Sequence, residues 1–463
     1  MYKKLGLING IKKSDELYER AKKVIASGTN TFSRAPGVFP DGVSPKFLDK
    51  QYGCRTWDVD GNEYIDMVMG CGPVTIGHNH PEINSAIIEQ LNKGTLYSLL
   101  NPLEVEVAEK LVDCIPCADM VKFSKNGSDV CAASIKIARY VTGRDIILCW
   151  GYHGFHDWYI ATTDRSSGIP KQIKELSKTF EYNDIDSLQR LIDEFGDRVA
   201  AIIMEPVIAE KPKCYNETTC NNPACNKKNC QNTFLHKVKE IAHKNGSLLI
   251  FDEMISGFRF ALGGVQEFLE VTPDLATFGK GITNGLPLGV LAGKEKYMKH
   301  FDKVFLSSTY APEALTLAAA SKTIDFYKEN NVIGELWKKG IFIENEFNKT
   351  ITKYGIEKNI SLAGYPVRLM VNSHDENGLQ DPKLATLYQQ EMFSNGALCF
   401  SGVLMLSYSH TNNDLKLLCS AFDKTCMVIK EYLDSGKPIE KFLKGKPGAP
   451  VFKGLRERNA VSN

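Results

Sequence analysis

The chain has 463 residues, of which 43% are hydrophobic and 24% charged, long enough to bury a sizeable core without disulfides. Lys plus Arg number 56 against 55 Asp plus Glu, and a formal net charge of +1 offers no broad attraction to nucleic acid or an anionic membrane, which leaves small molecules as the expected partners. Thirteen cysteines, an odd count, argue against a fully paired secreted framework; the start Met1-Tyr2-Lys3-Lys4 leads into polar residues rather than an apolar leader core, so a reducing cytoplasm is expected.

Leu17, Ala21, Val24 and Ile25 recur at helical spacing and predict a helix over 15–27, followed by a Gly/Pro/Ser-rich loop over 28–45. In 55–66 the turn Asp60-Gly61-Asn62 separates two short alternating runs, the signal of a hairpin. From about residue 80, helices alternate with nearly all-apolar strands at 145–150, 199–204, 247–251, 275–278 and 289–292. Such strands build a mostly parallel sheet covered on both faces, with ligands beyond its carboxyl ends. One long helix is expected from 315 to about 348, short strands over 360–406 and a last helix over 414–433. The tail 436–463 is rich in Lys, Gly and Pro and is expected to be partly disordered. No apolar run approaches the roughly 18 residues that span a bilayer.

The strand exits carry the chemistry. Lys280 lies among glycines in Gly279-Lys280-Gly281, which suits an amine that forms a Schiff base, and equally an exposed loop lysine. Asp252, ending the strand before Glu253-Met254, suits the acidic partner of a protonated pyridine nitrogen, or an ion pair with Lys280 or Arg259. Asn126-Gly127-Ser128-Asp129 opens a helix and offers a phosphate its amides, a hydroxyl and a positive dipole end, or is an ordinary cap. Tyr152 stands where an aromatic can stack on a flat ring. His153 and His156 have a spacing open to a metal, without an accompanying carboxylate motif.

Taken together and in this chain order, three runs resemble the class III, fold type I pyridoxal-phosphate aminotransferases, and most closely the branch that includes glutamate-1-semialdehyde aminomutase. They are Asp252-Glu253-x-x-x-Gly257-Phe258-Arg259, Gly279-Lys280-Gly281-x-x-x-Gly285-x-Pro287-x-Gly289 and Tyr152-His153-Gly154-x-His156-Asp157, and the resemblance runs from about 17 to about 430. It implies an α/β fold: a large domain over 71–325 with a mostly parallel sheet covered by helices, a smaller α+β domain from 1–70 and 326–435, and a polar tail over 436–463. It implies pyridoxal 5'-phosphate as cofactor, with Lys280 forming the Schiff base and shuttling the proton, and Asp252 holding the pyridinium proton. Gly127 and Ser128 would then cradle the phosphate, Tyr152 stack on the ring, and Glu205 of Met204-Glu205-Pro206 lie beside the cofactor.

Thr309, in Ser307-Ser308-Thr309-Tyr310, matches a residue that reaches the phosphate of the neighbouring subunit's cofactor, which implies a homodimer. The loop containing Ser33 and Arg34 resembles one that holds a carboxylate in the aminomutase. Arg34 would bind substrate as a bidentate fork, the alternative being an arginine paired within the protein. The implied activity is amino transfer from a small-molecule donor to a keto or aldehyde acceptor, as in relatives that serve sugar, polysaccharide or amino-acid-derived metabolite synthesis. Intramolecular 2,1-amino exchange is the alternative, and a cofactor-binding scaffold without turnover the non-enzyme one. Met254, the Asn126-Gly127-Ser128-Asp129 run and Tyr310-Ala311-Pro312-Glu313 depart from the family pattern, and they set the aminomutase substrate apart from the cofactor chemistry.

Between Glu205 and Asp252 the chain is longer than that pattern. The excess, within 211–232, holds Cys214, Cys220, Cys225 and Cys230 and almost no apolar side chain. Four thiolates on one structural zinc would order it; free thiols and disulfides are the alternatives, and the spacing is not the usual C-x2-C. Cys114 and Cys117 have redox spacing but stand at an apolar helix-to-strand junction and read as packing.

Overall fold

The computed structural model describes residues 5–215, 232–449 and 451–452. They form two compact units: a central one, Pro81–Ile333, and a flanking one from the described residues up to His80 and from Gly334 onward.

The flanking unit opens with a helix at Lys12–Val24 and strands β1 (Leu48–Tyr52), β2 (Arg55–Asp58) and β3 (Glu63–Asp66). The expected hairpin forms, with Thr56 opposite Tyr64 and Trp57 opposite Glu63. Asp58 closes its turn by accepting from the backbone N–H groups of Asp60 and Asn62, at 3.0 and 2.8 Å.

The central unit contributes β4 (Met120–Ser124), β5 (Ile146–Trp150), β6 (Ser177–Thr179), β7 (Val199–Met204), β8 (Leu248–Asp252), β9 (Leu275–Phe278) and β10 (Gly289–Gly293). They make one sheet in the order β4-β10-β9-β8-β7-β5-β6. β5, β7, β8 and β9 are buried along their whole length, because Ile, Val, Leu and Ala face helices on both sides. β6, β5, β7, β8 and β9 run parallel, whereas β10 is antiparallel to both of its neighbours. β4, antiparallel to β10 in turn, therefore points the same way as β9. The chain leaves β4, β5, β7, β8 and β9 on one edge of the sheet.

The flanking unit resumes with β11 (Ile360–Tyr365), β12 (Arg368–Ser373), β13 (Ala397–Leu398) and β14 (Val403–Leu404). β13 adds to β3 in parallel, and β11-β12-β14 form a separate antiparallel sheet. Two expectations need correction. The long helix after 315 is two helices, Ala314–Glu329 and Val332–Tyr354, broken where Asn331 takes a left-handed φ of 47°, a conformation asparagine tolerates. The stretch 360–406 is not all strand: Asp381 accepts from the N–H groups of Lys383 and Leu384 and starts a helix at Pro382–Ser394. Within the described part of the tail, Ile439 is buried and Ala449 N–H bonds to the Gly37 carbonyl at 2.8 Å. No helix among the described residues is long and apolar enough to cross a membrane.

His410 is buried in the flanking unit, and its Nδ1 accepts the Ser407 N–H at 3.0 Å. Burial depresses its pKa from 6.5 to about 4. Between those values the unfolded chain binds a proton that the folded unit refuses, so stability is lost as pH falls through this window. The loss is about 3 kcal/mol at 1.36 kcal/mol per pH unit. Denaturant unfolding at pH 4.5 and 7 should show a shallower loss in His410→Gln than in the native chain; parallel profiles would refute this assignment.

Candidate active site

The exit of β4 builds the first wall. Asn126 is extended and its Oδ1 accepts the Asp129 N–H at 3.2 Å, while Asp129 Oδ2 accepts from Ser124 Oγ at 2.7 Å. The departure from the family run thus still gives a capped 16-residue helix, Gly127–Thr142, whose positive end suits an anion. Ser128 Oγ accepts the Phe155 N–H at 3.1 Å, which joins this turn to the exit of β5. Gly154 packs so closely on Ser128 that a Cβ there would collide with Oγ, and its φ of 96° also demands glycine.

Beyond β5, Tyr152 N–H donates to Glu205 Oε1 at 2.9 Å and so ties the exits of β5 and β7. One edge of the Tyr152 ring meets Tyr159 at 5.5 Å and 89°, yet the residue stays 45% exposed, leaving aromatic surface open. Burial, then the charge of Asp252, pushes its phenol pKa up.

His153 was not picked out as a cofactor residue, yet it makes a central contact. Its Nδ1 lies 2.8 Å from Asp252 Oδ2 and its Nε2 3.0 Å from the Trp150 carbonyl, with the ring stacked on Trp158. Asp252 is 2% exposed; its Oδ2 also accepts from Cys131 Sγ at 3.4 Å, and Oδ1 takes the Met254 N–H at 3.1 Å. A carboxylate oxygen can accept twice, so Oδ1 has capacity for a further donor. Burial raises the Cys131 thiol well above its ordinary pKa, Asp252 adding to the rise and Lys280 opposing it. Cys131 is therefore a thiol donor rather than a thiolate, and it feels both Asp252, which ends β8, and Lys280, which follows the neighbouring strand β9.

Lys280 follows β9 with a left-handed φ of 36°, a strained backbone for a residue with a side chain. Its turn is pinned by Ile282 N–H on the Gly279 carbonyl at 3.1 Å and by Tyr327 Oη on the Gly281 carbonyl at 3.2 Å. A Cβ on either Gly127 or Gly279 would come 2.8 Å from Met254 Sδ. The methionine that departs from the family pattern is thus accommodated by two glycines, one on the β4 exit and one beside Lys280. A buried carboxylate with spare capacity, an amine at the exit of the neighbouring strand, a helix start with a hydroxyl, and a half-exposed aromatic ring match the demands of pyridoxal phosphate: ring N–H, aldehyde, phosphate and flat ring.

Cys131, His153 and Asp252 bring their potential ligand atoms within 4.8 Å of one another, a metal-like cluster among the described residues. Those atoms are engaged with one another and with Trp150, and His156 turns away to Asp129 at 3.4 Å, so the histidine pair does not converge. Thr309 lies in a turn closed by Ala311 N–H on the Ser308 carbonyl, and a second turn follows, closed by Glu313 N–H on the Tyr310 carbonyl. Arg34 ends the single turn Phe32–Arg34 of the flanking unit. Cys214 sits opposite Thr233 in a short antiparallel bridge, and Cys220, Cys225 and Cys230 lie outside the described residues. Burial pushes the Cys117 thiol up to about 12, as expected of packing rather than redox chemistry.

The family model for class-III aminotransferases matches residues 39–373. The 3-aminobutyryl-CoA aminotransferase of Cloacimonas acidaminovorans is 35% identical over 432 residues, covering 91% of this chain and 98% of that protein. Glutamate-1-semialdehyde 2,1-aminomutase 2 of Lachnoclostridium phytofermentans is 32% identical over 444 residues, covering 91% and 99%. Among solved structures, the pyridoxal-phosphate internal aldimine form of the FumI protein of Sphingopyxis sp. MTA144 matches with a TM-score of 0.82 at 24% identity, covering 93% of this chain and all of that one. An omega-transaminase from Sphaerobacter thermophilus matches at 0.77 and 24%, covering 89% and 97%. The structures establish the shared fold type I architecture, and the sequence relatives go further: the chain belongs to the class-III aminotransferase family.

Proposed function

We propose that this protein is a cytoplasmic, homodimeric aminotransferase that uses pyridoxal phosphate held by Lys280 to pass an amino group from a small-molecule donor to a keto or aldehyde acceptor. The observation that carries the reading is the placement of Asp252 and Lys280 at the exits of the neighbouring strands β8 and β9, on the sheet edge that also carries the helix start at Gly127. When bound, the cofactor supplies an aldehyde carbon for the amino group and a ring that delocalises the charge left at the donor's Cα. Gly127 and Ser128 bind the phosphate. Tyr152 covers one ring face, and Glu205 holds the Tyr152 backbone in place. Asp252 would keep the proton on the ring nitrogen, with His153 and Cys131 already meeting its Oδ2. Lys280 holds the cofactor at rest and moves the proton at the substrate Cα. Arg34 is assigned to a substrate carboxylate.

One turnover with an amino donor should release its keto acid in about one equivalent per site, and the aminated protein should then discharge to a suitable acceptor. 3-Oxoacyl thioesters belong in the acceptor screen beside keto acids and aldehydes, because a 35% relative is named for a 3-aminobutyryl-CoA. Amino exchange within glutamate-1-semialdehyde, with no external donor, would instead favour the aminomutase reading, which the 32% relative supports.

The dimer has its own support. Leu99 and Leu100 are each 86% exposed and Phe305 76%, next to a groove of about 700 Å³ lined by Val105, Met120, Leu306 and Pro312. Apolar surface of this kind calls for a partner, and a second copy brings Thr309 to the partner's cofactor. Leu100→Asp with Phe305→Asp should convert a dimer to monomer in sedimentation; a native chain that sediments as a monomer would end this part of the proposal.

A further inference from the structure

Lys125 stands between the end of β4 and the helix that starts at Gly127, and its ammonium reaches into the loop that carries Thr309. Nζ lies 3.1 Å from Glu313 Oε2 and 3.2 Å from Thr316 Oγ1, with the lysine and glutamate side chains only 18% and 19% exposed. Glu313 also caps the helix Ala314–Glu329: Oε1 accepts the Leu315 N–H at 2.7 Å, and Oε2 accepts the Thr316 N–H at 3.3 Å and the Thr316 hydroxyl at 2.7 Å. Its own N–H closes the turn onto the Tyr310 carbonyl. Burial pushes the Glu313 carboxyl up, but hydrogen bonds from Thr316 and Lys125 outweigh that and leave it below its ordinary range. The glutamate is therefore an anion opposite the lysine. Neutral donors satisfy a helix cap, so the lysine is not needed for capping. What it adds is a tether between two segments that both depart from the family run, 126–129 and 310–313.

We propose that Lys125 and Glu313 are positioning residues that fasten the Thr309 loop to the phosphate cradle. This rests on the reading that Gly127 and Ser128 hold the phosphate of their own cofactor and Thr309 that of the partner subunit. The pair makes the two phosphate-facing segments one mechanical body, so losing it blurs both phosphate sites of a dimer while leaving the ring-binding residues of β5, β8 and β9 in place.

The test is titration of the apoprotein with pyridoxal phosphate and, separately, with pyridoxal, which lacks the phosphate. Lys125→Met should weaken pyridoxal phosphate binding by about tenfold and change pyridoxal binding by less than about twofold. Lys125→Arg should restore the phosphate-dependent part. Glu313→Gln keeps an oxygen for the cap and should lose about as much as Lys125→Met, with the double variant no worse than the weaker single one. Melting of each apoprotein identifies a variant that fails to fold, and the Lys125→Arg and Glu313→Gln arms then decide. Equal weakening of both ligands, or additive effects of the two substitutions, would overturn the tether. A native apoprotein with no preference for the phosphorylated ligand would overturn the cradle reading, and the tether with it.

Discussion

Lys280→Ala should abolish the visible absorbance of the cofactor and lower kcat/KM by about four orders of magnitude or more, because in the proposed reading one amine both holds the cofactor and moves the Cα proton. The backbone makes the substitution clean. Lys280 sits at a left-handed φ between two glycines, and its turn is held by backbone and Tyr327 contacts. Alanine inherits the same strain, so circular dichroism and melting should stay close to native. A variant that retains full turnover would refute the assignment.

Asp252→Asn should lower kcat/KM by about a thousandfold, near 4 kcal/mol of transition-state stabilisation. An amide cannot keep a proton on the ring nitrogen as a carboxylate does, and its NH2 must occupy one of two positions where only donors now point: His153 and Cys131 at Oδ2, Met254 N–H at Oδ1. His153→Ala removes the shorter of the Oδ2 contacts and should cost roughly ten- to a hundredfold, with the two substitutions strongly non-additive because they act through one carboxylate. Additive losses, or an Asp252→Asn variant above a tenth of native activity, would show that the network does not work as a unit.

Much of this site was legible in the sequence because strand exits follow from apolar runs. Leu248–Asp252 and Leu275–Phe278 lie where runs of mainly apolar residues placed them, so Asp252 and Lys280 could be put on one sheet edge. The direction of β10 was not legible: Gly-Val-Leu-Ala is as apolar as its neighbours, and antiparallel pairing to two strands depends on connections that periodicity does not record. His153 was missed as the partner of Asp252 because the contact spans 99 residues and a histidine after a strand has many uses. Its signal was present in Tyr152-His153-Gly154, where the glycine that admits Ser128 also turns the chain. The Lys125–Glu313 pair, 188 residues apart, was invisible for the same reason, although both of its ends adjoin runs that broke the family pattern.

The bridge beside Cys214 has a consequence for how the chain tolerates change. Tyr215 N–H bonds to the Asn232 carbonyl and Phe234 N–H to the Lys213 carbonyl, each at 2.8 Å, so residues 213–215 and 232–234 are clasped side by side into one doorway on the central unit. The clasp fixes the distance between the two ends of that segment, whatever its length. The doorway is thus a natural graft point, where an epitope or a small reporter module can be spliced in while the sheet that carries Asp252 and Lys280 keeps its register.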